Sequence, residues 1–234
     1  QRELSEGSYR HGAYTNFRIF DPKHRLISAA PYRDRVVHHA LCNVIEPPFD
    51  RTFIDDSYAC RKGKGTHAAV ERFSEFAKKS RFVLKCDIRK YFQSIDQEIL
   101  LEILAKKIHC RRTMALLEEI IGSRKDNRYA EYFPCDDLFT PFQRSRAIPI
   151  GNLTSQFFAN VYLNGFDHFV KEQLCCRCYI RYVDDFVVFG DDKEWLGEVK
   201  GRMAGHLAGL RLKMHRKKSR VYRTQDGVSF LGYR

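Results

Sequence analysis

The run Tyr179-Ile180-Arg181-Tyr182-Val183-Asp184-Asp185-Phe186-Val187-Val188-Phe189 limits most sharply what this chain can become. Two adjacent carboxylates stand between two short apolar, β-favouring runs. The pattern predicts two strands with the acidic pair at the turn between them. Adjacent aspartates repel each other and are costly to desolvate. A fold holds them there cheaply only where solvent or a cation neutralises them. The bland alternative is an ordinary hairpin turn, since Asp is a common turn residue. The sharper one is a divalent-metal site.

A metal site needs more carboxylate than one pair. Phe82-Val83-Leu84-Lys85-Cys86-Asp87-Ile88 reads as a buried strand that delivers Asp87 at its C-terminal edge. Asp87, Asp184 and Asp185 are distant in sequence, but neighbouring strands would bring them together. Hard Mg²⁺ prefers oxygen ligands and keeps positions for water and phosphate. Two such ions about 4 Å apart activate an attacking hydroxyl and stabilise a leaving pyrophosphate, which is nucleotidyl transfer.

The 234 residues are 44% hydrophobic, enough for one large or two small cores. The formal net charge is +12, with local clusters at Arg61-Lys62-Gly63-Lys64 and Arg216-Lys217-Lys218. Aromatic and aliphatic residues are interleaved with this charge, so it reads as a basic globular surface suited to a polyanion, not a disordered tail. No signal peptide or membrane-spanning run is visible, so the eight cysteines read as reduced thiols in a cytoplasm. Cys175, Cys176 and Cys178 lack the second pair that a zinc site requires. The chain opens on Gln1 and stops at Arg234 directly after a motif, which points to a piece of something longer.

The periodicity predicts a basic hairpin with strands at 18–20 and 25–28. It predicts a helix from Asp34 to Ile45 stopped by Pro47-Pro48, and a second helix capped by Thr66. A third would open on a Ser94–Gln97 capping box. Residues 122–147 read as a connecting loop or short hairpin. A long helix follows through Phe158, Tyr162, Phe166 and Phe169, another runs from Trp195 to about Leu207, and strands close the chain at 219–224 and 228–233.

In this order, the motifs resemble the fingers and palm of a reverse transcriptase from about residue 17 to the C-terminus. Asp87-Ile88-Arg89-Lys90-Tyr91-Phe92 resembles the first palm motif and Tyr182-Val183-Asp184-Asp185 the metal-binding box. The lysine of a following motif aligns with Lys218, and Phe230-Leu231-Gly232-Tyr233 resembles the primer grip. Ile150-Gly151-Asn152-Leu153-Thr154-Ser155-Gln156 is most like the bacterial enzymes of diversity-generating retroelements. Group II intron and retron enzymes usually carry Gln at the place of Ile150 and Pro at the place of Gln156.

The resemblance implies an α+β right-hand polymerase fold, with an antiparallel sheet and packed helices and the thumb absent or truncated. It assigns residues 1–80 to the fingers, 81–110 to the palm with the first catalytic motif, 111–150 to a fingers or connecting part, and 151–234 to the palm with the second motif and primer grip. It implies RNA-directed DNA synthesis, error-prone in the subgroup, with two Mg²⁺ ions (Mn²⁺ as an alternative) held by Asp87, the Ile88 carbonyl, Asp184 and Asp185. Lys218 would protonate pyrophosphate or simply contact a phosphate. Phe92 would exclude a ribose 2′-hydroxyl. Arg25, with Lys23 and Arg33 as alternates, would meet the triphosphate, and Ile150, Gly151 and Gln156 would lie by the nucleotide.

The implied partners are an RNA template, a DNA or RNA primer, dNTPs and a small basic accessory protein, in a bacterial or phage-encoded cytoplasmic system. The competing readings are a phage-defence or group II intron-like reverse transcriptase, an RNA-dependent RNA polymerase, and a non-catalytic RNA-binding scaffold on the same fold.

Overall fold

The apolar runs on either side of the acidic pair are strands. A computed structural model of the chain describes residues 1–20, 25–124 and 131–233. Its elements are α1 (Arg2–Glu6), β1 (Thr15–Ile19), β2 (Arg25–Ala29), α2 (Tyr32–Asp50), α3 (Thr66–Ala77), β3 (Phe82–Asp87), α4 (Tyr91–Ser94), α5 (Gln97–Ala105) and α6 (Arg111–Gly122). They continue with α7 (Thr140–Gln143), α8 (Leu153–His168), β4 (Tyr179–Tyr182), β5 (Asp185–Gly190), α9 (Lys193–Gly209) and β6 (Arg220–Arg223). One π-helical turn, Phe169–Gln173, prolongs α8. The chain forms two compact units that alternate along the sequence, residues 1–47 with 92–162 and residues 48–91 with 163–234.

The second unit is built on a four-stranded antiparallel sheet of order β4-β5-β3-β6. Successive side chains point to opposite faces, and here both faces are covered. Val83, Ile180, Val187 and Phe189 pack with Ala69 and Phe76 of α3 and with Phe230. On the other face α9 packs on β3 and β5 and buries Leu196, Val199, Met203 and Leu207. Burial on both sides explains why β5 reads as an unbroken apolar run from Phe186 to Phe189. Asp192 starts α9 by accepting from the amides of Glu194 (2.8 Å) and Trp195 (3.1 Å).

In the first unit β1 and β2 form an antiparallel hairpin, paired from Thr15↔Ala29 to Ile19↔Arg25. Helices α5 and α6 pack together, with Leu100, Leu104, Leu117 and Ile120 buried. Asp34, buried near the start of α2, accepts from the Tyr9 hydroxyl and from the Gly12 amide, both at 2.8 Å, and so ties the N-terminal segment to the helix.

Several local expectations change. Pro47 and Pro48 do not stop α2, which runs to Asp50. Proline removes amide donors but its φ is already helical. The final turn is held by Phe49, 2% exposed, and by Arg61, which donates to Asp50 Oδ1 at 2.6 Å. Thr66 is the first helical residue of α3 and makes no cap. Gly65 precedes it with φ 119°, and the Thr66 hydroxyl instead meets that of Tyr182 at 3.0 Å. Asp96, not Ser94, caps α5, because its carboxylate accepts from the amides of Glu98 and Ile99.

Helix α6 lies where no element was expected, and the expected loop at 122–147 contains α7; residues 125–130 are outside the described residues. Residues 228–233 are not a strand. Leu231 (φ 51°) and Gly232 (φ 89°) make a tight turn closed by Phe230 and Tyr233, each donating its amide to the other's carbonyl. Two successive positive φ angles reverse the chain instead of extending it.

His38 on α2 is buried, and neither ring nitrogen has a hydrogen-bond partner among the described residues. The His11 ring stacks on it at 5.2 Å. Burial first, then His11, pulls the His38 pKa down to about 4, against an upward pull from Asp34. The folded state therefore binds fewer protons than the unfolded chain between pH 6.5 and 4. The His38 contribution is fully present above about pH 6.5 and is lost as the pH falls toward 4, by about 2 kcal/mol. Urea titrations across this range should show that loss in the wild type and a flatter profile in His38→Leu; matching profiles would refute it.

Candidate active site

The acidic site begins with strand register. Asp87 ends β3 and Asp185 begins β5, and the two are paired directly across the antiparallel ladder. Directly opposed side chains lie on the same face of a sheet, where like charges repel. Tyr182 pairs with Asp185, which leaves Val183 and Asp184 as a two-residue turn. Val183 has φ 56°. That conformation is rare for a β-branched residue and costs on the order of 1–3 kcal/mol. Two hydrogen bonds hold it. Arg181 Nη1 donates to the Val183 carbonyl, and the Ile88 amide donates to the Asp184 carbonyl, both at 3.1 Å.

Arg181 is the main residue that sequence reasoning passed over. Its side chain and that of Asp167 are fully buried. Nε donates to Asp167 Oδ1 (2.8 Å) and Nη2 to Asp167 Oδ2 (2.7 Å), Nη2 also reaches Ser57 Oγ (3.1 Å), and the Tyr179 hydroxyl donates to Asp167 Oδ1 (2.7 Å). The Asp56 carbonyl and the Tyr58 amide pair with the Arg181 backbone. The signal was present: a charge inside Tyr-Ile-Arg-Tyr, an otherwise buried strand, demands a buried partner.

The Asp184 carboxyl is pushed up to about 6, chiefly by burial and then by Asp185, with Asp87 adding to the rise and Lys218 opposing it. Lys218 Nζ donates to Asp87 Oδ2 at 2.7 Å, so a cation already stands against this carboxylate. His215 donates its amide to the Asp87 carbonyl, and Arg89 donates to that of Lys213, fastening the 213–218 segment beside the end of β3. Among the described residues no three His, Cys, Asp or Glu side chains are gathered closely enough to cage an ion unaided. The carboxylates suit hard cations that bring some of their own oxygen ligands.

The segment from Phe230 to Tyr233, expected from the resemblance to be a primer grip, lies in the same unit. Phe230 is buried in the cluster under β3 and β5, stacked on Phe73 at 4.9 Å, while Leu231 and Gly232 form the tight turn and Tyr233 is exposed.

The other sequence-derived residues belong to the first unit. Phe92 is half-buried and its carbonyl accepts from the Ile148 amide at 2.9 Å. The Ile150 carbonyl accepts from the Ser28 amide at 2.9 Å, and Asn152 exchanges hydrogen bonds with Ser28 and Ala30, so the 150–152 turn is fixed to β2. Gly151 has φ 110°, and a Cβ there would stand 2.7 Å from Ile27 Cγ2. The backbone and Ile27 therefore require glycine whatever lies beyond. Gln156 is exposed on α8.

Arg25 opens β2 opposite Ile19. Arg33 is engaged by Glu3, Asp34 and the Arg10 carbonyl, a structural setting. Lys23 lies outside the described residues. All eight cysteines are free thiols, and among the described residues no helix is long and apolar enough to cross a membrane.

A family model described as reverse transcriptase (RNA-dependent DNA polymerase) matches residues 20–234, and the chain belongs to that family. It is 23% identical to Protein YkfC of Escherichia coli (strain K12), across 93% of this chain and 65% of that protein. It is 22% identical to the group II intron-encoded protein LtrA of Lactococcus lactis subsp. cremoris, across 64% of this chain and 23% of that protein. The chain thus spans less than two thirds of either relative. A telomerase from Candida tropicalis, solved with a fragment of telomeric RNA, superposes with a TM-score of 0.66 at 13% identity, over 99% of this chain and 45% of that one. The fold is that of the right-hand polymerases.

Arg181→Met should lower stability by about 3–5 kcal/mol, because it strands a buried carboxylate. In a urea-denaturation cycle with Asp167→Asn the double variant should lose less than the sum of the singles; strict additivity would refute the coupling. Val183→Gly should gain about 1 kcal/mol by relieving the positive φ, and a loss would show that the turn stores no strain.

Proposed function

We propose that this chain carries the catalytic part of an RNA-directed DNA polymerase that adds dNTPs to a primer on an RNA template. The observation that carries the reading is the register that sets Asp87 against Asp185, with Asp184 in the adjoining turn. Asp87, Asp184 and Asp185 would hold Mg²⁺. When bound, two such ions activate the primer hydroxyl and neutralise the leaving pyrophosphate. Asp184, crowded by burial and by two carboxylates, gains most from a nearby cation. Lys218, paired with Asp87, would exchange it for the triphosphate as the nucleotide arrives, whether as proton donor or as plain counter-charge. Phe92 would exclude a 2′-hydroxyl, and Arg25 would meet the triphosphate.

In this reading residues 1–80 and 111–150 are fingers, 81–110 and 151–234 palm. The partners are template RNA, a primer and a small basic accessory protein. Two element types fit the enzyme. The segment Ile150-Gly151-Asn152-Leu153-Thr154-Ser155-Gln156 supports error-prone copying for a diversity-generating retroelement. Similarity to LtrA supports a group II intron-like role.

Extension of a primed RNA template with dNTPs and Mg²⁺ should fall by at least about a thousandfold in Asp184→Ala of the full-length protein; near-wild-type extension would end the polymerase reading. The error spectrum should narrow opposite template adenine in Ile150→Gln, and equal spectra would remove Ile150 as a cause of infidelity.

A further inference from the structure

The end of the sheet remote from the acidic turn holds an open cavity of about 680 Å³. It lies where three segments of the second unit meet: the turn after α3, the start of β3, and the end of β6. Phe82 pairs with Arg223 across the strands. Thr224 locks the corner, its amide donating to the Arg81 carbonyl (3.0 Å) and its hydroxyl to the Ser80 carbonyl (2.6 Å). Lys78, Lys79, Arg81 and Arg223 line the cavity, and among the described residues no acidic side chain does.

Six other cations of the unit are paired with acidic side chains. Arg61, Lys64, Arg72, Lys171, Arg181 and Lys218 each have a carboxylate within 3 Å. Among the described residues none of the four cavity cations has an acidic partner. The nearest carboxylate contact, from Asp191, is to the Arg81 backbone amide and leaves the guanidinium over the Phe82 ring at 5.7 Å. Lys78 and Lys79 follow the C-terminus of α3, where a cation is favourable anyway. Arg81 directly precedes β3 and Arg223 ends β6, and neither has such an explanation. Four like charges drawn into one concavity repel unless an anion visits it.

We infer that this cavity is a second nucleic-acid contact, binding the phosphodiester backbone of an RNA or DNA strand away from the reacting end. Phe82 and Asp87 sit at opposite ends of β3, about 17 Å apart at the usual rise. A strand held here is therefore gripped independently of the acidic turn. The guanidinium groups of Arg81 and Arg223 suit bidentate phosphate contact, and the two lysines add point charge. The choice of nucleic acid over another polyanion rests on the polymerase reading.

The test is fluorescence anisotropy of labelled RNA and DNA oligonucleotides on the full-length protein, in an Asp184→Ala background and in wild type, across a salt series. Lys78→Ala/Lys79→Ala/Arg223→Ala should weaken binding about tenfold at 0.1 M salt and reduce the salt slope by about two for a single strand. It should do so equally in both backgrounds, with an unchanged unfolding midpoint. A control triple of exposed cations from the first unit, Lys106→Ala/Arg111→Ala/Arg112→Ala, should change the slope less. Loss confined to one of the two oligonucleotides would identify which strand is held. Equal losses in the two triples, or an unchanged slope in the cavity triple, would overturn the site. Neither result bears on polymerase chemistry, which the Asp184→Ala extension assay decides separately.

Discussion

The buried pair of Arg181 and Asp167 is the interaction on which the acidic site depends. Both side chains are closed to water, so neither tolerates loss of the other. The guanidinium joins α8, through Asp167, to the carbonyl of Val183 at the tip of the β4–β5 hairpin and to Ser57 on the segment after α2. A lysine could supply the charge but not the planar fork that reaches three places at once. The strained turn that carries Asp184 is thus held from behind by a buried polar network.

Charge is distributed over this unit in two distinct ways. At one end of the sheet carboxylates are crowded against one another, and Lys218 answers part of the repulsion at Asp87. At the other end four cations share a cavity without an acidic partner among the described residues. Both arrangements cost folding energy, and both are relieved by a charged ligand of the opposite sign. Such a polarity along one sheet fits a chain that belongs to the reverse transcriptase family and carries a formal net charge of +12.

The strands at 82–87, 179–182 and 185–190 and the helices α8 and α9 were legible because their apolar patterns are long and continuous. The strand-end settings of Asp87 and Asp185 were legible because each carboxylate borders a continuous apolar run. Elsewhere local signals misled where a distant residue took over their task. Pro47 and Pro48 read as a stop, yet Arg61 and burial of Phe49 carry α2 past them. Ser94 resembled a cap, but Asp96 is the residue whose carboxylate meets the free amides. The need for glycine at 151 has a second source that no local pattern announces, since Ile27 fills the space that a Cβ would need.

From the amino-acid order alone came the acidic motifs, their strand settings and the family resemblance, because each is a property of neighbouring residues and their period. The register that opposes Asp87 to Asp185, the partner of Arg181, and the gathering of Lys78, Lys79, Arg81 and Arg223 were decided only by tertiary structure. Each depends on segments separated by scores of residues, and no local rule specifies which strand will pair with which or where a buried charge will find its counter-charge.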